Sequence, residues 1–185
     1  NGVPIDTFAQ GVLQNAISLA EGPDRTIYVL DVYLPGIFIF SFQGEELGKI
    51  TLEGTEAQTG VAYGPYGIYI SEDSLNLILH YDTLGNFMDT LAKEGNGILN
   101  VARPEGIFYD ALSRVLVAST GHNWVEGFPP GPPISSLLHL GGTSPQGGSG
   151  EGEFLSPLDV AADLEGFVFV ADSGNMRICL LYTSP

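Results

Sequence analysis

Basic side chains are scarce in this sequence: six Lys plus Arg stand against 22 Asp plus Glu, for a formal net charge of −16 at pH 7. Phosphate backbones and anionic membrane surfaces are bound largely through basic groups, so neither nucleic acid nor such a surface is an expected partner. Cysteine is nearly absent. The one present, Cys179, cannot close an internal disulfide, so cysteine usage does not reveal the redox compartment. No apolar run approaches the roughly 18 residues of a membrane span, so no membrane insertion is expected. The first residues lack the basic-then-apolar pattern of a leader, although a signal lost by truncation stays open. An extracellular or periplasmic setting is expected over a cytoplasmic one. The Gly-x-Ser-x-Gly elbow, His-Glu-x-x-His and the phosphate-cradling Gly-Lys-Ser/Thr are missing too, which leaves the common hydrolase, zincin and P-loop chemistries without their residues.

Turn formers are what the chain has in quantity. Twenty-five Gly and 12 Pro in 185 residues leave room for many short strands and little for long helices, so the expected class is all-β. Residues 153–178 show the arrangement most clearly: the apolar runs 160–162 and 167–171 flank the turn Asp163-Leu164-Glu165-Gly166, and Asp172-Ser173-Gly174-Asn175 leads into a third run at Ile178. This reads as an antiparallel meander. Similar units recur upstream, with second strands centred on Tyr28, Tyr69, Leu116 and Phe169, spaced by 41, 47 and 53 positions. Periods in the forties are those of four-stranded propeller blades, and four repeats are counted. Residues 71–84 also fit a capped amphipathic helix with Leu75, Ile78 and Leu79 on one face. The in-register match to the other units favours a hairpin there.

The order of residues in the last unit resembles the NHL repeat. Pro157, Asp159, Val160, Ala161, Asp163, Gly166, Val168, Val170, Ala171, Asp172, Ser173, Asn175, Arg177 and Ile178 match that family's pattern. The resemblance implies a β-propeller of about four blades over residues 1–178, an incomplete ring, since NHL propellers usually have six. Residues 4–9 share an Asp-Thr pair and a closing Ala with residues 87–92 at an offset of 83, which places them on an outer strand. After Ile178 the pattern fails, and residues 179–185 resemble translated sequencing-adapter sequence at the ends of environmental reading frames. They are expected to be a non-native tail on a fragment. The competing arrangement is a four-bladed ring in which residues 4–9 complete the last blade.

In the third unit, Val115 to Ser119 is read as the second strand and the run around Leu138 as the third. The intervening residues 121–133 are then an insertion, carrying the chain's one Trp and the prolines at 129, 130, 132 and 133. Consecutive prolines hold an extended backbone without ladder bonds, so this segment is expected to project. Trp124 and Phe128, with His122, are its candidate binding residues, because aromatic side chains dominate interface energetics. Residues 141–152 read as a flexible crossing.

Asp172, Asn175 and Arg177 fit a turn role, since short polar side chains bond their own turn and Arg pairs with Asp. Asp31, Glu72 and Ser119 fall at the Asp172 position, a variation that suits turns better than a shared metal site. His80 and His139 are read as equivalent third-strand positions, where Ile39 and Leu180 stand in the other units, which suits half-buried packing. Glu21, Asp24, Asp110, Asp163 and Glu165 lie in first-to-second-strand turns; they could collect Ca²⁺ if they converged, and the simpler reading is a solvated rim. No catalytic residue, metal ligand or cofactor is assigned. The leading expectation is a binding or scaffold module for a protein or peptide, favoured over an enzyme. The alternative, which the resemblance also admits, is a fragment of a metal-dependent propeller enzyme of the peptidyl-hydroxyglycine lyase or lactonase type. Animal NHL proteins that bind RNA use a basic top surface, which this chain lacks.

Overall fold

Alternating apolar residues between Gly, Asp, Asn and Ser turns fold as hairpins, because alternation sends successive side chains to opposite faces while the turn residues bond their own backbone. The computed structural model describes residues 7–34, 36–52, 57–97, 99–132, 135, 137–142 and 145–183. The first sheet is β1 (Ala16–Glu21), β2 (Ile27–Asp31), β3 (Ile37–Phe40) and β4 (Glu46–Ile50), paired in that order. The second is β5 (Gln58–Gly64), β6 (Gly67–Glu72), β7 (Leu77–Tyr81) and β8 (Phe87–Glu94), with the two-residue β9 (Asn100–Val101) added parallel to β8. The third is β10 (Pro104–Tyr109), β11 (Val115–Ser119), β12 (Trp124–Phe128) and β13 (Leu138–Gly141). The fourth is β14 (Pro157–Ala162), β15 (Phe167–Asp172) and β16 (Arg177–Tyr182). Helical structure among the described residues is limited to two 3-10 turns, Pro23–Arg25 and Ser173–Asn175. Residues 71–84 form the β6–β7 hairpin and not a helix.

The second strands of the first three sheets are apolar on both faces because each face is covered by a different neighbour, whereas the fourth sheet leaves Phe169, Ile178 and Leu180 of its outer face exposed. Leu30, Ile37 and Ile50 of the first sheet pack with Ile68 and Ile70 of the second. Tyr69 and Ile78, from the opposite face, pack with Val115, Val117 and Phe128 of the third. Leu116 and Val125 then meet Val160, Val168 and Val170 of the fourth. Each fully buried Leu, Ile or Phe in these layers contributes roughly 1.5–3 kcal/mol. The free face of the first sheet, Val29, Phe38 and Phe40, is covered by Ala9, Val12 and Leu13, with the Phe8 ring 5.7 Å from that of Phe40. Phe8 and Ala9 therefore lie on the first sheet and residues 7–9 form no strand, while residues 4–6 of the expected outer strand lie outside the described residues.

The third sheet corrects the expectation of a projecting insertion. Trp124 to Phe128 is a strand buried along its whole length, paired with β11 on one side and β13 on the other. Leu138 to Leu140 is accordingly the fourth strand and not the third. Gly127, which weakens a strand reading, has a structural purpose: a Cβ there would lie 2.8 Å from the Leu138 Cβ and 3.1 Å from Leu116 Cδ2. The prolines follow the strand, and the Tyr69 hydroxyl donates to the Pro130 carbonyl at 2.9 Å, tying the turn to the neighbouring sheet.

Candidate functional site

Each first strand carries a register shift at the same place: between Ala16 and Ser18, Gln58 and Gly60, Pro104 and Ile107, and Pro157 and Asp159. An unpaired extra residue bends a strand and re-aims its side chain. Here the residues inside the shifts are Ile17, Thr59, Glu105 with Gly106, and Leu158, and all of them line one cavity of about 510 Å³. First strands also lie next to one another around this cavity, β1 beside β5, β5 beside β10 and β10 beside β14. It is the axis of the molecule.

The cavity is apolar and acidic. Ile17, Leu19 and Leu158 are exposed on its wall, as is Asp159, while Glu105 is half-buried. Burial pushes the Glu105 carboxyl above its ordinary value, nearby Asp73 adds to the rise, and Arg103 offsets part of it. Arg103 itself lies 3.7 Å from Asp73 and 4.0 Å from Glu105 and is largely solvated. Gly106 permits the third and fourth first strands to meet, since a Cβ there would lie 2.6 Å from the Asp159 Cα.

Hydroxyl groups stitch the sheets together around this wall. The Val61 amide donates to Ser18 Oγ at 3.1 Å, Thr59 donates to the Pro104 carbonyl at 2.7 Å, and Thr120 donates to the Pro157 carbonyl at 2.5 Å. The second strands end in Asp31, Glu72, Ser119 and Asp172, all fully buried. Each accepts a backbone amide from the segment leading into its own sheet: Gln14 and Asn15 to Asp31, Ala57 to Glu72, Ala102 to Ser119, and Leu155 to Asp172. The turn role expected for these positions is thus realised, and Arg177 Nε completes it by donating to Asp172 Oδ2 at 2.8 Å. Burial alone would raise the Asp31 carboxyl; amides of Asn15, Gln14, Leu34 and Tyr33 outweigh it and hold the group below the ordinary carboxylate value.

The candidate binding residues of the third unit lie away from this cavity and from solvent. Trp124 is 4% exposed, Phe128 0% and His122 4%. The Trp124 ring sits between His122, at 4.3 Å, and the edge-on ring of His139, at 5.1 Å. Their aromatic surface is consumed by packing. His80 and His139 are not equivalent, since His80 is on β7 and His139 on the outer β13. His80 contacts Asp89 and the Tyr66 carbonyl, and His139 contacts buried Glu126 at 2.5 Å. Among the described residues, no three His, Cys, Asp or Glu side chains are placed to hold a metal ion. Asp110 and Asp163 bond their own turn amides, and Asp110 also pairs with buried Arg114. No helix among the described residues is long and apolar enough to cross a membrane.

No protein-family model and no curated protein sequence matches this chain. Solved structures do. A nidogen/laminin complex superposes with a TM-score of 0.70 at 19% identity, covering 90% of this chain and 60% of that one. A catalytically inactive virginiamycin B lyase from Staphylococcus aureus with quinupristin gives 0.67 at 13% identity, over 91% and 53%. A protein of unknown function from Bacteroides caccae gives 0.54 at 16%, over 90% and 60%. The fold is a β-propeller. This chain spans between 53% and 60% of the length of those solved chains, and its four sheets are propeller blades.

The candidate surface that residue reading missed is the axial wall of the propeller. Ile17, Thr59, Glu105 and Leu158 share no residue type, so no motif marks them. Their common signal is positional: each precedes by one or two residues the apolar core of its blade's first strand, a relation visible only once the blades are aligned.

Proposed function

We propose that this propeller is a binding module of the NHL type that takes a protein or peptide segment at its axial cavity. The observation carrying this reading is the repeated register shift, which brings one residue from each of three inner strands and two from the fourth to a common wall. Bulges concentrate beside functional sites because they re-aim side chains. Ile17, Leu19 and Leu158 offer apolar contact, and Glu105 and Asp159 offer negative charge, in a chain of net charge −16. The complementary ligand is a segment with basic and apolar side chains, steered by the field and held by apolar burial. The Asp172, Asn175 and Arg177 turn of the last blade supports the NHL assignment.

Fluorescence anisotropy with labelled peptides of matched length, basic-apolar against acidic-apolar, tests the reading. The basic-apolar peptides should bind and weaken with salt. Glu105→Gln and Asp159→Asn together should weaken them roughly fivefold to tenfold, about 1 kcal/mol or slightly more. Equal binding of both peptide classes, or indifference to the double substitution, would overturn it.

A further inference from the structure

The two carboxylates of the axial wall, Asp159 and Glu105, are not in the same condition. Asp159 is exposed, and its Oδ1 accepts the Val160 amide at 2.9 Å. No basic side chain lies within ion-pair distance of it: Arg25 stacks on the Phe42 ring and Lys49 on that of Phe38, Arg114 pairs with Asp110 and Arg177 with Asp172, and Lys93 is exposed on β8. Those five and Arg103 are all the Lys and Arg of the chain. Glu105, in contrast, has a counter-ion. Arg103 Nη2 is 4.0 Å from Glu105 Oε1, and Arg103 Nε is 3.7 Å from Asp73 Oδ1.

Arg103 is placed without being clamped. Its backbone is fixed, because the amide donates to Asn76 Oδ1 at 2.6 Å and the carbonyl accepts the Thr120 amide at 3.2 Å. Its side chain is 63% exposed and meets both carboxylates beyond hydrogen-bond range, whereas Arg114 and Arg177 donate to their aspartates at 2.6 and 2.8 Å. Arg103 still acts on Glu105, since it offsets part of the rise that burial and then Asp73 impose on that carboxyl. Asp73 itself does not line the cavity.

We propose that Arg103 sets the charge of the ligand: by countering Glu105 from within, it leaves Asp159 as the uncompensated carboxylate of the axial wall, so the segment bound there carries a single basic side chain among apolar ones. The inference rests on the axial binding proposed above. A first basic group pairs with Asp159 while apolar neighbours meet Ile17, Leu19 and Leu158. A second basic group has to displace Arg103 from Glu105, and exchanging one cation for another returns little.

Fluorescence anisotropy with apolar peptides of equal length carrying one or two basic residues, in about 0.15 M salt to shorten the reach of the chain's overall field, tests this. In the wild type the second basic residue should improve binding by less than about twofold, and in Arg103→Gln by roughly threefold to fivefold. Adding Glu105→Gln to Arg103→Gln should cancel that gain, and Lys93→Gln, which removes the same charge elsewhere, should keep the wild-type ratio. An equal gain in wild type and Arg103→Gln, or the larger gain in Lys93→Gln as well, overturns the inference and leaves axial binding standing. Failure of either peptide to bind either protein overturns the axial reading and this inference with it. Should Arg103→Gln not fold, the wall carboxylates decide: with the single-base peptide, Asp159→Asn should weaken binding at least about threefold more than Glu105→Gln does, and equal or reversed losses overturn the inference.

Discussion

Asn123 Oδ1 accepts the backbone amide of Ser156 at 2.7 Å, joining the third blade's turn to the entry of the fourth. The second and third blades repeat the contact, with Asn76 Oδ1 accepting the Arg103 amide at 2.6 Å. Acceptor and donor residues are left-handed in both pairs, at φ 63° and 49°, and 55° and 47°. Asn tolerates that conformation better than most residues and supplies the acceptor as well.

Asn123→Ala should lower stability by about 2–3 kcal/mol, from an orphaned amide and a strained left-handed Ala. Asn123→Gly should recover the part due to backbone strain and none of the hydrogen bond. Urea midpoints of the two variants check the split; equal losses would show that backbone strain contributes little, and a negligible loss in Asn123→Gly would show the same of the contact to Ser156.

Asp31 should make the propeller acid-sensitive. Its carboxyl is held below the ordinary value, so it stabilises the fold above the unfolded value of 3.8 and the contribution is lost as pH falls through that value toward the lower folded one. Asp31→Asn should cost about 3 kcal/mol at neutral pH and flatten the acid limb of a plot of stability against pH. A variant with an unchanged acid limb would place the sensitivity elsewhere.

Thr59→Val and Thr120→Val each remove a hydroxyl that crosses a blade boundary while keeping the side chain's shape. Each should cost about 1–2 kcal/mol, and the two should add, since they serve different boundaries. Calorimetry on the single and double variants checks this, and a double loss well short of the sum would point to a shared relaxation.

Trp124→Ala should destabilise by about 3–5 kcal/mol, as for other large buried side chains. Peptide binding per folded molecule, measured under conditions where the variant remains folded, should be unchanged. A folded variant that no longer binds would return Trp124 to the functional account.

Strand class, blade count and turn anchors were legible in the sequence because turn chemistry is local: Asp31, Glu72, Ser119 and Asp172 sit at one place in each repeat and bond the same segment. The third blade was harder. Its β12 is buried on both faces, so it shows no alternation, and Gly127 and the following prolines argue against a strand until the closeness of Leu138 explains the glycine. Trp124 looked like a displayed side chain for the same reason. The axial wall could not be read at all, because a bulge changes where a residue points without changing what the residue is.

Gly106 lets the third and fourth inner strands touch, and Gly60 does the same for the second and third, where a Cβ would stand 2.9 Å from the Glu105 carbonyl oxygen. These contacts form the narrow side of a wedge whose broad side is filled by the apolar layers farther out. A methyl group on the narrow side would widen it and reduce the angular step from one blade to the next. The curvature of the array is therefore governed by two hydrogen atoms at its axis as much as by the bulk of its core.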